Sequence, residues 1–490
     1  TVCCARVRAA IIRKAHRVGK DGDKLNKSTI LGMIAMAVAV FVIANDFTAL
    51  SVAIPAIEKD FGTNVNTTQW VINGYAMVFG VLIVTGGRLA DMFGRRHAFF
   101  IGSAIFATFS VLGGLAPNVW ILLACRFVMG MGGALMWPAV LGMTFSLLPR
   151  SKAGLAGGLV MGSAGFGNAF GPLLGGALTD TVGWRWVFFL NLPIALAAIL
   201  ITYLVVAPDA PAKGAEKIDY RGMGSLTVAV FALLLGLDLG TRIGWSTGWI
   251  YGLFVLSALA YVVFFLVERR AGDAALVPDD VMRNTGFAAA CLTVLAMSAI
   301  FFAALLYLPQ YMAHKLNFSA VQCGAGLLPM MGTFAITSFI SGRLYARLGA
   351  KVSVVSGALF LAAGMFLLSR LHSGTPYQDL VFGMVVLGIG VGLFYSSITT
   401  AGITALDPSR ASLAGAIVYM FQIAGGSIGL GANTAIVLSN SNFADGISIA
   451  FFVDALIAVC GAAIALFFVG GTLDPAKLAS AWRYKHRAHA

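Results

Sequence analysis

The chain has 490 residues, of which 59% are hydrophobic and 11% are charged, whereas soluble domains are about 25% charged. This composition excludes an ordinary soluble protein and indicates a polytopic membrane protein with many spans of about 20 residues each. The net charge of +13 does not require a nucleic-acid partner, because most Lys and Arg residues fall in one set of loops and termini. Such an asymmetry marks the cytoplasmic side of a membrane protein.

Apolar runs bounded by Gly, Pro and charged residues predict fourteen transmembrane helices in an all-α fold. In chain order they cover 30–56, 70–90, 98–116, 120–147, 153–178, 187–206, 222–240, 248–267, 287–312, 321–344, 352–370, 379–404, 410–437 and 447–470. The even number predicts that both termini are cytoplasmic, in agreement with the basic residues near each end. Residues 1–27 have no apolar stretch followed by a cleavage site, so we interpret them as a cytoplasmic tail and not as a signal peptide.

A charged turn at Gly87–Arg96 separates the second and third predicted helices and returns in altered form at Gly342–Lys351. Both copies keep two glycines, an arginine, a leucine and a closing basic residue, but Ala346 replaces Asp91. A repeat over this distance predicts two homologous halves, as in many secondary transporters. Shorter matches at an offset of 258 residues pair Gly130–Gly132 with Gly388–Gly390 and Ala153–Gly157 with Ala411–Gly415.

The repeat predicts two six-helix bundles related by a pseudo-two-fold axis, with two further helices inserted between them. The predicted units are a basic cytoplasmic tail at 1–29, an N-terminal bundle at 30–206, a linker carrying the inserted helices at 207–286, a C-terminal bundle at 287–470 and a cytoplasmic tail at 471–490. Little sequence remains for a separate soluble domain.

Two charged residues lie well inside predicted helices, where a charge costs at least a few kcal/mol and therefore needs a reason. Asp46 lies about 24 Å along a helix that starts in the cytoplasm, and Arg126 about 9 Å along one that starts outside, at 1.5 Å per residue. In a core about 30 Å thick both reach the same layer and can face each other. We expect Asp46 to bind and release a proton, with Arg126 favouring release. A static salt bridge is the alternative.

Several of these stretches resemble the major facilitator superfamily. The pattern G-x-L-A-D-x-x-G-R-R at Gly87–Arg96 resembles the loop between its second and third spans. Asp46–Pro55 and Trp184–Pro193 resemble its 14-spanner drug:proton antiporter branch, although Ser51 stands where asparagine is usual. The resemblance covers roughly residues 30–470 and implies a major facilitator fold with two helices added.

The resemblance also implies roles for individual residues. Asp46 falls at the branch's proton-binding position, and Arg126 opens an R-x-x-x-G-x-G pattern that the family links to proton transfer. The fifth predicted helix resembles a motif that distinguishes antiporters from symporters, formed here by Gly167, Gly171, Pro172, Gly175 and Gly176. From the residues alone, glycines at this spacing predict close helix packing and the proline a bend, so a plain packing seam is the alternative.

The turn at Gly87–Arg96 places a carboxylate, Asp91, at a cytoplasmic helix end, where it can stabilise the positive N-terminus of another helix. The segment Asp407–Arg410 predicts such a helix start in the other half, with a proline just inside it. We expect Asp91 to latch the outward-open state. The gating residues are predicted to be Gly87, Asp91, Gly94, Arg95 and Arg96, with both arginines anchoring the loop, as the resemblance also implies. A role of the arginines in fixing topology is the alternative.

A substrate cavity is predicted from polar and aromatic residues inside the helices: Asn45, Trp70, Asn73, Tyr75, Trp137, Gln310, Tyr311, Tyr395 and Gln422. Packing is the alternative for each aromatic residue. A cavity with few acids and many aromatic rings suits amphipathic organic molecules, including cations. Asp238 and Asp454 could attract a cationic substrate, but both lie near predicted helix ends, so we interpret them as solvated or bonded within their helices.

These patterns predict proton-coupled efflux of amphipathic small molecules, such as drugs, dyes or secreted metabolites, across the cytoplasmic membrane by alternating access. One alternative is a proton-coupled symporter or facilitator that imports a nutrient or metabolite. Another is a non-transporting sensor or assembly subunit, which would not need buried charges. The expected partners are a small-molecule substrate, protons and the lipid bilayer, and the chain is expected to work as a monomer.

We expect no enzymatic activity and no cofactor. The sequence contains no P-loop, so a proton gradient, and not ATP, is the expected energy source. The six cysteines show no metal-ligand spacing and are interpreted as free thiols, buried where they lie in apolar runs. All six histidines fall in tails or at helix ends, which leaves protonation inside the membrane to carboxylates.

Overall fold

The structure is a computed structural model that describes residues 26–209, 219–245, 247–272, 275–372, 374–440 and 442–470. Within these ranges all regular secondary structure is helical. The predicted cytoplasmic tails, apart from 26–29, and much of the linker before the inserted helices lie outside the described residues.

Fourteen long helices occur in the described ranges, close to the positions that the apolar runs predict. They are α1 (Lys27–Phe61), α2 (Trp70–Phe93), α3 (Arg95–Gly114), α4 (Val119–Leu147), α5 (Ala153–Thr181), α6 (Arg185–Val205), α7 (Tyr220–Ile243), α8 (Gly248–Ala271), α9 (Thr285–Leu316), α10 (Leu328–Leu348), α11 (Ala350–Leu368), α12 (Tyr377–Thr404), α13 (Ala411–Leu438) and α14 (Phe443–Phe468). Short helices occur at Val65–Thr68, Asp279–Met282 and Ala320–Gly326, with 3₁₀ turns at Arg150–Lys152 and Pro408–Arg410. The predicted all-α polytopic fold is confirmed.

In the described part of the chain, twelve of these helices are long and apolar enough to cross a membrane; α5 and α10 are outside that set. α5 is rich in glycine, and α10 carries Arg343 and Arg347. These two helices pack against each other, α5 also against α1 and α10 also against α12. Helices enclosed in this way need less apolar surface than helices that face lipid. The number of fourteen spans stays a prediction.

The tenth predicted helix, 321–344, is divided in the structure into a short helix at Ala320–Gly326 and α10. Ser319 begins the short helix, and it exchanges hydrogen bonds with Gln322 in a capping box. Pro329 lies in the first turn of α10, where a missing backbone donor costs little. The uninterrupted apolar run conceals this break because both pieces are apolar.

The helix pairs of the first half recur in the second half. α1 packs against α4, α5 and α6, and α9 packs against α12, α13 and α14 in the same pattern. Likewise α4 packs on α2 and α3, as α12 packs on α10 and α11. Between the halves, α2 and α4 contact α13, while α10 and α12 contact α5. This exchange is what a pseudo-two-fold axis between the two predicted halves requires.

The inserted helices α7 and α8 form a hairpin. α7 packs against α8 and also against α2 and α13, so it lies along the seam between the halves. α8 exposes many large apolar side chains, including Trp249, Val255 and Leu259, as a helix that faces lipid does. The insertion therefore brings one helix, α7, to the centre of the molecule.

Candidate functional site

The two charged residues predicted to face each other form a buried ion pair. Arg126 Nη1 of α4 lies 2.6 Å from Asp46 Oδ2 of α1, and both side chains are 0% exposed. Arg126 Nε also donates to the backbone carbonyl of Val71 in α2 at 2.6 Å. One guanidinium thus joins α1, α2 and α4 around a single carboxylate.

The second carboxylate oxygen of Asp46 is held by a fourth helix, α6. Asn191 Nδ2 of α6 donates to Asp46 Oδ1 at 2.9 Å and lies 3.1 Å from Ser110 Oγ of α3. Ser110 in turn donates to the carbonyl of Phe188 at 2.8 Å. The sequence interpretation did not select Asn191 as a site residue, although a lone polar side chain in the apolar run of α6 is a usable signal.

Tyr75 belongs to this ion-pair site and does not line the cavity described below. Its fully buried ring lies 4.3 Å from Arg126 Cζ, measured to the ring centroid, a distance typical of a cation–π contact. Its ring also meets Phe47 edge to face at a centroid distance of 4.9 Å. Because Phe47 is a cavity residue, Tyr75 and Phe47 connect the ion pair to the cavity wall.

The glycines of α5 lie against the segment of α1 that carries Asp46. A Cβ atom on Gly167 would come within 2.7 Å of the carbonyl oxygen of Phe41, and one on Gly171 or Gly175 would collide with Thr48 or Ala49. Small residues at this spacing let two backbones touch. On the other side, Gly176 faces Val321 and Pro172 faces Gly324, both in the short helix at Ala320–Gly326. α5 continues as one helix through Pro172.

A cavity of about 350 Å³ lies between the halves, lined from α1, α2, α4, α5, α7, α9, α10, α12 and α13. The predicted cavity residues that line it are Trp70, Asn73, Trp137, Tyr395 and Gln422. Asn45, Tyr75, Gln310 and Tyr311 are not among its lining residues. Asn45 is fully buried, and the Tyr311 hydroxyl donates to the carbonyls of His372 and Thr375. These four residues lie on helices that contribute to the cavity wall, but they are not among the residues that line it.

The interpretation of Asp454 as a solvated or helix-bonded acid is wrong, whereas for Asp238 the structure adds a partner in another helix. Asp238 of α7 lines the cavity and accepts a hydrogen bond of 2.7 Å from Asn73 of α2. Asp454 of α14 is only 1% exposed, and the Asn433 amide of α13 lies 3.2 and 3.1 Å from its two oxygens. Position near a helix end did not expose Asp454, because a neighbouring helix covers it.

The turn at Gly87–Arg96 lies against the start of α13 in the other half. Asp91 accepts hydrogen bonds from the backbone N–H groups of Leu413 at 2.8 Å and Ser412 at 3.3 Å. Arg95 pairs with Asp91 at 2.9 Å and donates to the carbonyl of Pro408 at 2.6 Å. The predicted carboxylate therefore lies at the predicted helix start, with its side chain 3% exposed.

The rest of the turn is fixed by the linker after α6. Asp209 accepts from the backbone N–H groups of Arg96 and His97, which begin α3. Gly94 has a φ of +105°, which disfavours other residues, and a Cβ atom there would collide with the Asp209 carboxylate. Arg96 donates to the carbonyl of Tyr203 at 2.9 Å. Both arginines thus make specific contacts in addition to any effect on topology.

The second copy of the turn forms the matching contact without a carboxylate. Gly87 lies against Ser412 and Ala416 of α13, and Gly342 lies against Gly154 of α5, so both glycines allow close approach across the seam. Ala346 occupies the position that corresponds to Asp91. The carboxylate contact is therefore present in only one of these two matching turns.

Asp91→Ala is expected to open this end of the seam, because it removes two backbone hydrogen bonds to a charged acceptor. Such bonds contribute about 1.5–3 kcal/mol each, so the closed-to-open ratio should fall at least about tenfold. Pulsed electron paramagnetic resonance between spin labels at Phe93 and Ala405, in a variant without other cysteines, measures the separation. Both positions are exposed.

Asp407→Ala is the control for that measurement. Asp407 is an exposed aspartate near the same seam, and it accepts hydrogen bonds from Ser409 within its own turn. We expect its removal to leave the label distance unchanged. Equal distances in Asp91→Ala and the parent protein would contradict the latch.

The described ranges contain no group of three or more His, Cys, Asp or Glu residues placed to hold a metal ion. Cys125, Cys291 and Cys323 are buried free thiols, as predicted, but Cys460 of α14 is exposed. Cys3 and Cys4 lie outside the described residues.

Two helical halves with a cavity between them are the architecture of a membrane transporter. The sequence profile of the Major Facilitator Superfamily matches residues 36–221, 220–430 and 289–487, which together include most of the chain. The chain therefore belongs to the Major Facilitator Superfamily, a family of transporters and not of enzymes. Its placement in the 14-spanner branch stays a prediction.

Similar proteins include drug-resistance and export proteins. The chain is 33% identical over 398 residues to the tetracenomycin C resistance and export protein of Streptomyces glaucescens, with 81% of this chain and 74% of that protein covered. It is 32% identical over 411 residues to the puromycin resistance protein pur8 of Streptomyces alboniger, covering 81% and 80%. It is 30% identical over 421 residues to the multidrug transporter protein MdtP of Bacillus subtilis, covering 84% and 76%.

A solved structure has the same fold. The human organic anion transporter MFSD10 (TETRAN) aligns with a TM-score of 0.63, covering 89% of this chain and 99% of that chain. The sequence identity is 13%, so this likeness concerns the fold alone.

Proposed function

We propose that this protein exports amphipathic small molecules in exchange for protons by alternating access, with both termini in the cytoplasm. The observation that carries the proposal is the buried ion pair between Asp46 and Arg126. Asp46 lies on α1, which also lines the central cavity. The names of its relatives, which are a resistance and export protein, a resistance protein and a multidrug transporter, support efflux as the direction. The substrates proposed are drug-like molecules of that kind.

The coupling would pass through α1. Ile43, Ala44, Phe47 and Thr48 line the cavity, whereas Asp46 is directed to α4 and α6, where Arg126 and Asn191 hold it. Protonation would remove the charge that holds the guanidinium and would release α4 from α1. Because the glycines of α5 contact the same stretch of α1, a shift of α1 would be transmitted to α5.

A proton can drive transport in this arrangement only if it binds the two states of the cavity differently. The ion pair meets this condition, because separating its partners favours protonation of Asp46 and closing them favours release. The Asp91 latch would stabilise the outward-open state, in which the external proton reaches Asp46. Uptake from outside would then favour return of the empty cavity to the cytoplasm.

Asp46→Asn is expected to abolish the coupled proton flux. Asparagine retains an acceptor for Arg126 and nearly the same volume, which limits the cost of leaving the buried guanidinium without its counter-ion, and the variant is compared with the wild type at equal amounts of folded protein. Purified protein is reconstituted in liposomes with a lumenal pH dye and an imposed proton gradient. The compounds added are puromycin, tetracenomycin C and a panel of lipophilic cations and neutral drugs. The wild-type protein should move protons in the direction opposite to some of these compounds.

Asp60→Asn is the matched control on the same helix. Asp60 forms an ion pair with Arg185 at 2.5 Å, but its side chain is 41% exposed, so we expect transport close to that of the wild type. Movement of substrate and protons in the same direction would identify the protein as a symporter and contradict the proposal. Normal coupling in Asp46→Asn would contradict the role of that carboxylate.

A further inference from the structure

The C-terminal half contains a buried carboxylate that the mechanism proposed above does not use. Asp454 lies near the middle of α14 and is 1% exposed. Both of its oxygens lie beside one neutral group, the Asn433 amide nitrogen of α13, at 3.2 and 3.1 Å. In the described part of the chain this amide is its hydrogen-bond partner, and no cation pairs with it.

The internal repeat places Asp454 at the position of Asn191 in the first half. Phe188–Asn191 of α6 reads F-F-L-N, and Phe451–Asp454 of α14 reads F-F-V-D. The first phenylalanine of each stretch is fully buried, and α6 packs against α1 and α3 as α14 packs against α9 and α11. Because Asn191 holds Asp46, its counterpart in the second half lies at the equivalent of the ion-pair site.

The second half lacks the arginine of that site. The match of Gly130–Gly132 with Gly388–Gly390 places Met384, which is fully buried, at the position of Arg126. α9, which corresponds to α1, contains neither Asp nor Glu. The second half therefore has a carboxylate at this site, supplied by α14, but no guanidinium to neutralise it.

The helices that pack against α14 carry their charged residues at their ends. His314 and Lys315 lie in the last turn of α9, and Lys351 lies in the first turn of α11. α13 carries no charged residue. The titratable group that interacts with Asp454 from a neighbouring helix is the hydroxyl of Tyr307 in α9, which is also buried. The surroundings of Asp454 are therefore apolar or neutral.

A carboxylate in such surroundings is costly when it is ionised and far less so when it carries a proton. The amide of Asn433 has both a donor and an acceptor, so it can bond either form of the acid. Asp46 differs in this respect, because Arg126 compensates its charge. The two halves thus hold one ionised carboxylate and one neutral carboxylic acid.

A pair of hydroxyl groups connects the surroundings of Asp454 to helices that line the cavity. The Tyr307 hydroxyl of α9 lies 2.7 Å from Thr434 Oγ1 of α13, and Thr434 is the residue after Asn433. Leu305 and Leu430 of the same two helices line the cavity. A shift of α9 against α13 during transport would therefore change the contacts of Asp454.

We propose that Asp454 is a second proton-binding site, occupied in this conformation, and that its proton is exchanged for substrate together with the proton of Asp46. This inference rests on the proposed antiport and adds to it a second site, in the other half. The proton is taken from water and returned to water, and no other bond changes. The Asp46 pair still controls α1, so Asp46→Asn is expected to stop both proton movements.

The occupied state is tested by infrared spectroscopy of the purified full-length protein in detergent at neutral pH. A protonated carboxylic acid has a carbonyl stretch that an ionised carboxylate lacks, and exposed Asp and Glu side chains are ionised at this pH. Asp454→Asn should remove a band of this kind from the wild-type spectrum. The variant should fold, since asparagine is neutral and has nearly the same size as the protonated acid.

Asp445→Asn is the matched control, because Asp445 is an exposed aspartate in the first turn of the same helix. Its spectrum should keep the band, as should that of Asp46→Asn, whose carboxylate is ionised in the wild type. A band that persists in Asp454→Asn would overturn the proposal, because Asp454 would then be ionised in the folded protein.

The exchange is tested by the number of protons moved per substrate molecule in the liposome assay. This ratio is obtained from the substrate gradient at which puromycin flux reverses under a known pH gradient and membrane potential. Asp454→Asn should transport with one proton fewer per substrate than the wild type and Asp445→Asn. An unchanged ratio would overturn the proposal, because the proton of Asp454 would then stay bound throughout the cycle.

The failure of this inference differs from the failure of the proposed function. Absence of antiport in the wild type would contradict the proposed function, and with it the exchange at Asp454. Antiport in the wild type with a band or a ratio that Asp454→Asn leaves unchanged would contradict the second site alone.

Discussion

Substitution of Arg126 by leucine is expected to abolish transport and to remove most of the folded protein. The change leaves the Asp46 carboxylate buried, with the amide of Asn191 as the remaining partner described above. Breaking a buried ion pair by removing one partner typically costs about 3–5 kcal/mol. Native protein is quantified by size-exclusion chromatography of a fluorescent fusion, and transport by the liposome assay.

A double substitution separates the structural effect from the functional one. Asp46→Leu combined with Arg126→Leu should recover much of the folded protein, because replacing both members of a buried pair by apolar residues is often neutral. Transport should remain absent, since the proton site at Asp46 is lost. If the double variant were as poorly folded as the single variant, an unpaired carboxylate could not explain the loss.

Arg126→Lys gives an intermediate case. Lysine can pair with Asp46, but its ammonium cannot reproduce the fixed fork that reaches both Asp46 and the Val71 carbonyl. We expect folded protein near the wild-type amount and slower transport. Transport at the wild-type rate would mean that positive charge alone suffices at this position.

The helices and the ion pair were accessible from sequence because both follow from local properties. A run of about 20 apolar residues crosses the hydrocarbon core in any fold. A charge inside such a run must find a partner at the same depth, and depth follows from counting residues along each helix. Asp46 and Arg126 could therefore be paired before their helices were known to touch.

The direction in which a side chain points could not be predicted from the sequence in the same way. Counting residues gives depth but not rotation about the helix axis, and membrane helices show weak amphipathicity because lipid and protein interior are both apolar. Tyr311 and Gln422 were equally good cavity candidates, yet only Gln422 lines the cavity. The contact of Asp238 with Asn73 was not predicted because the packing of α7 against α2 is a property of the assembled fold.

The glycines of α5 show that a sequence pattern can predict a close helix contact without identifying the partner helix. Their spacing predicted a close contact, but α1 as the partner, at the level of Asp46, required the structure. Gly175→Leu is expected to be severely destabilising, because even a Cβ atom would collide with the backbone of Ala49. Overpacking against atoms that cannot rotate away costs about 3 kcal/mol or more, and here it would also displace α1 from Arg126.

Gly175→Ala tests which effect on stability is larger, the collision with α1 or the gain in helix propensity. In a free helix this change is stabilising by about 1 kcal/mol, so a loss of thermal stability would have to come from the α1 contact. Gly252→Leu in α8 is the matched control, since a Cβ atom there has no neighbour within 4 Å and the residue is exposed. Stability of the purified variants is read from thermal unfolding in detergent.

We expect Gly252→Leu to match the wild type, Gly175→Ala to unfold at a lower temperature and Gly175→Leu to yield little folded protein. If Gly175→Ala were instead more stable and transported normally, α1 and α5 would be free to separate by the width of a methyl group. The seam could then not transmit a shift of α1 to the cavity.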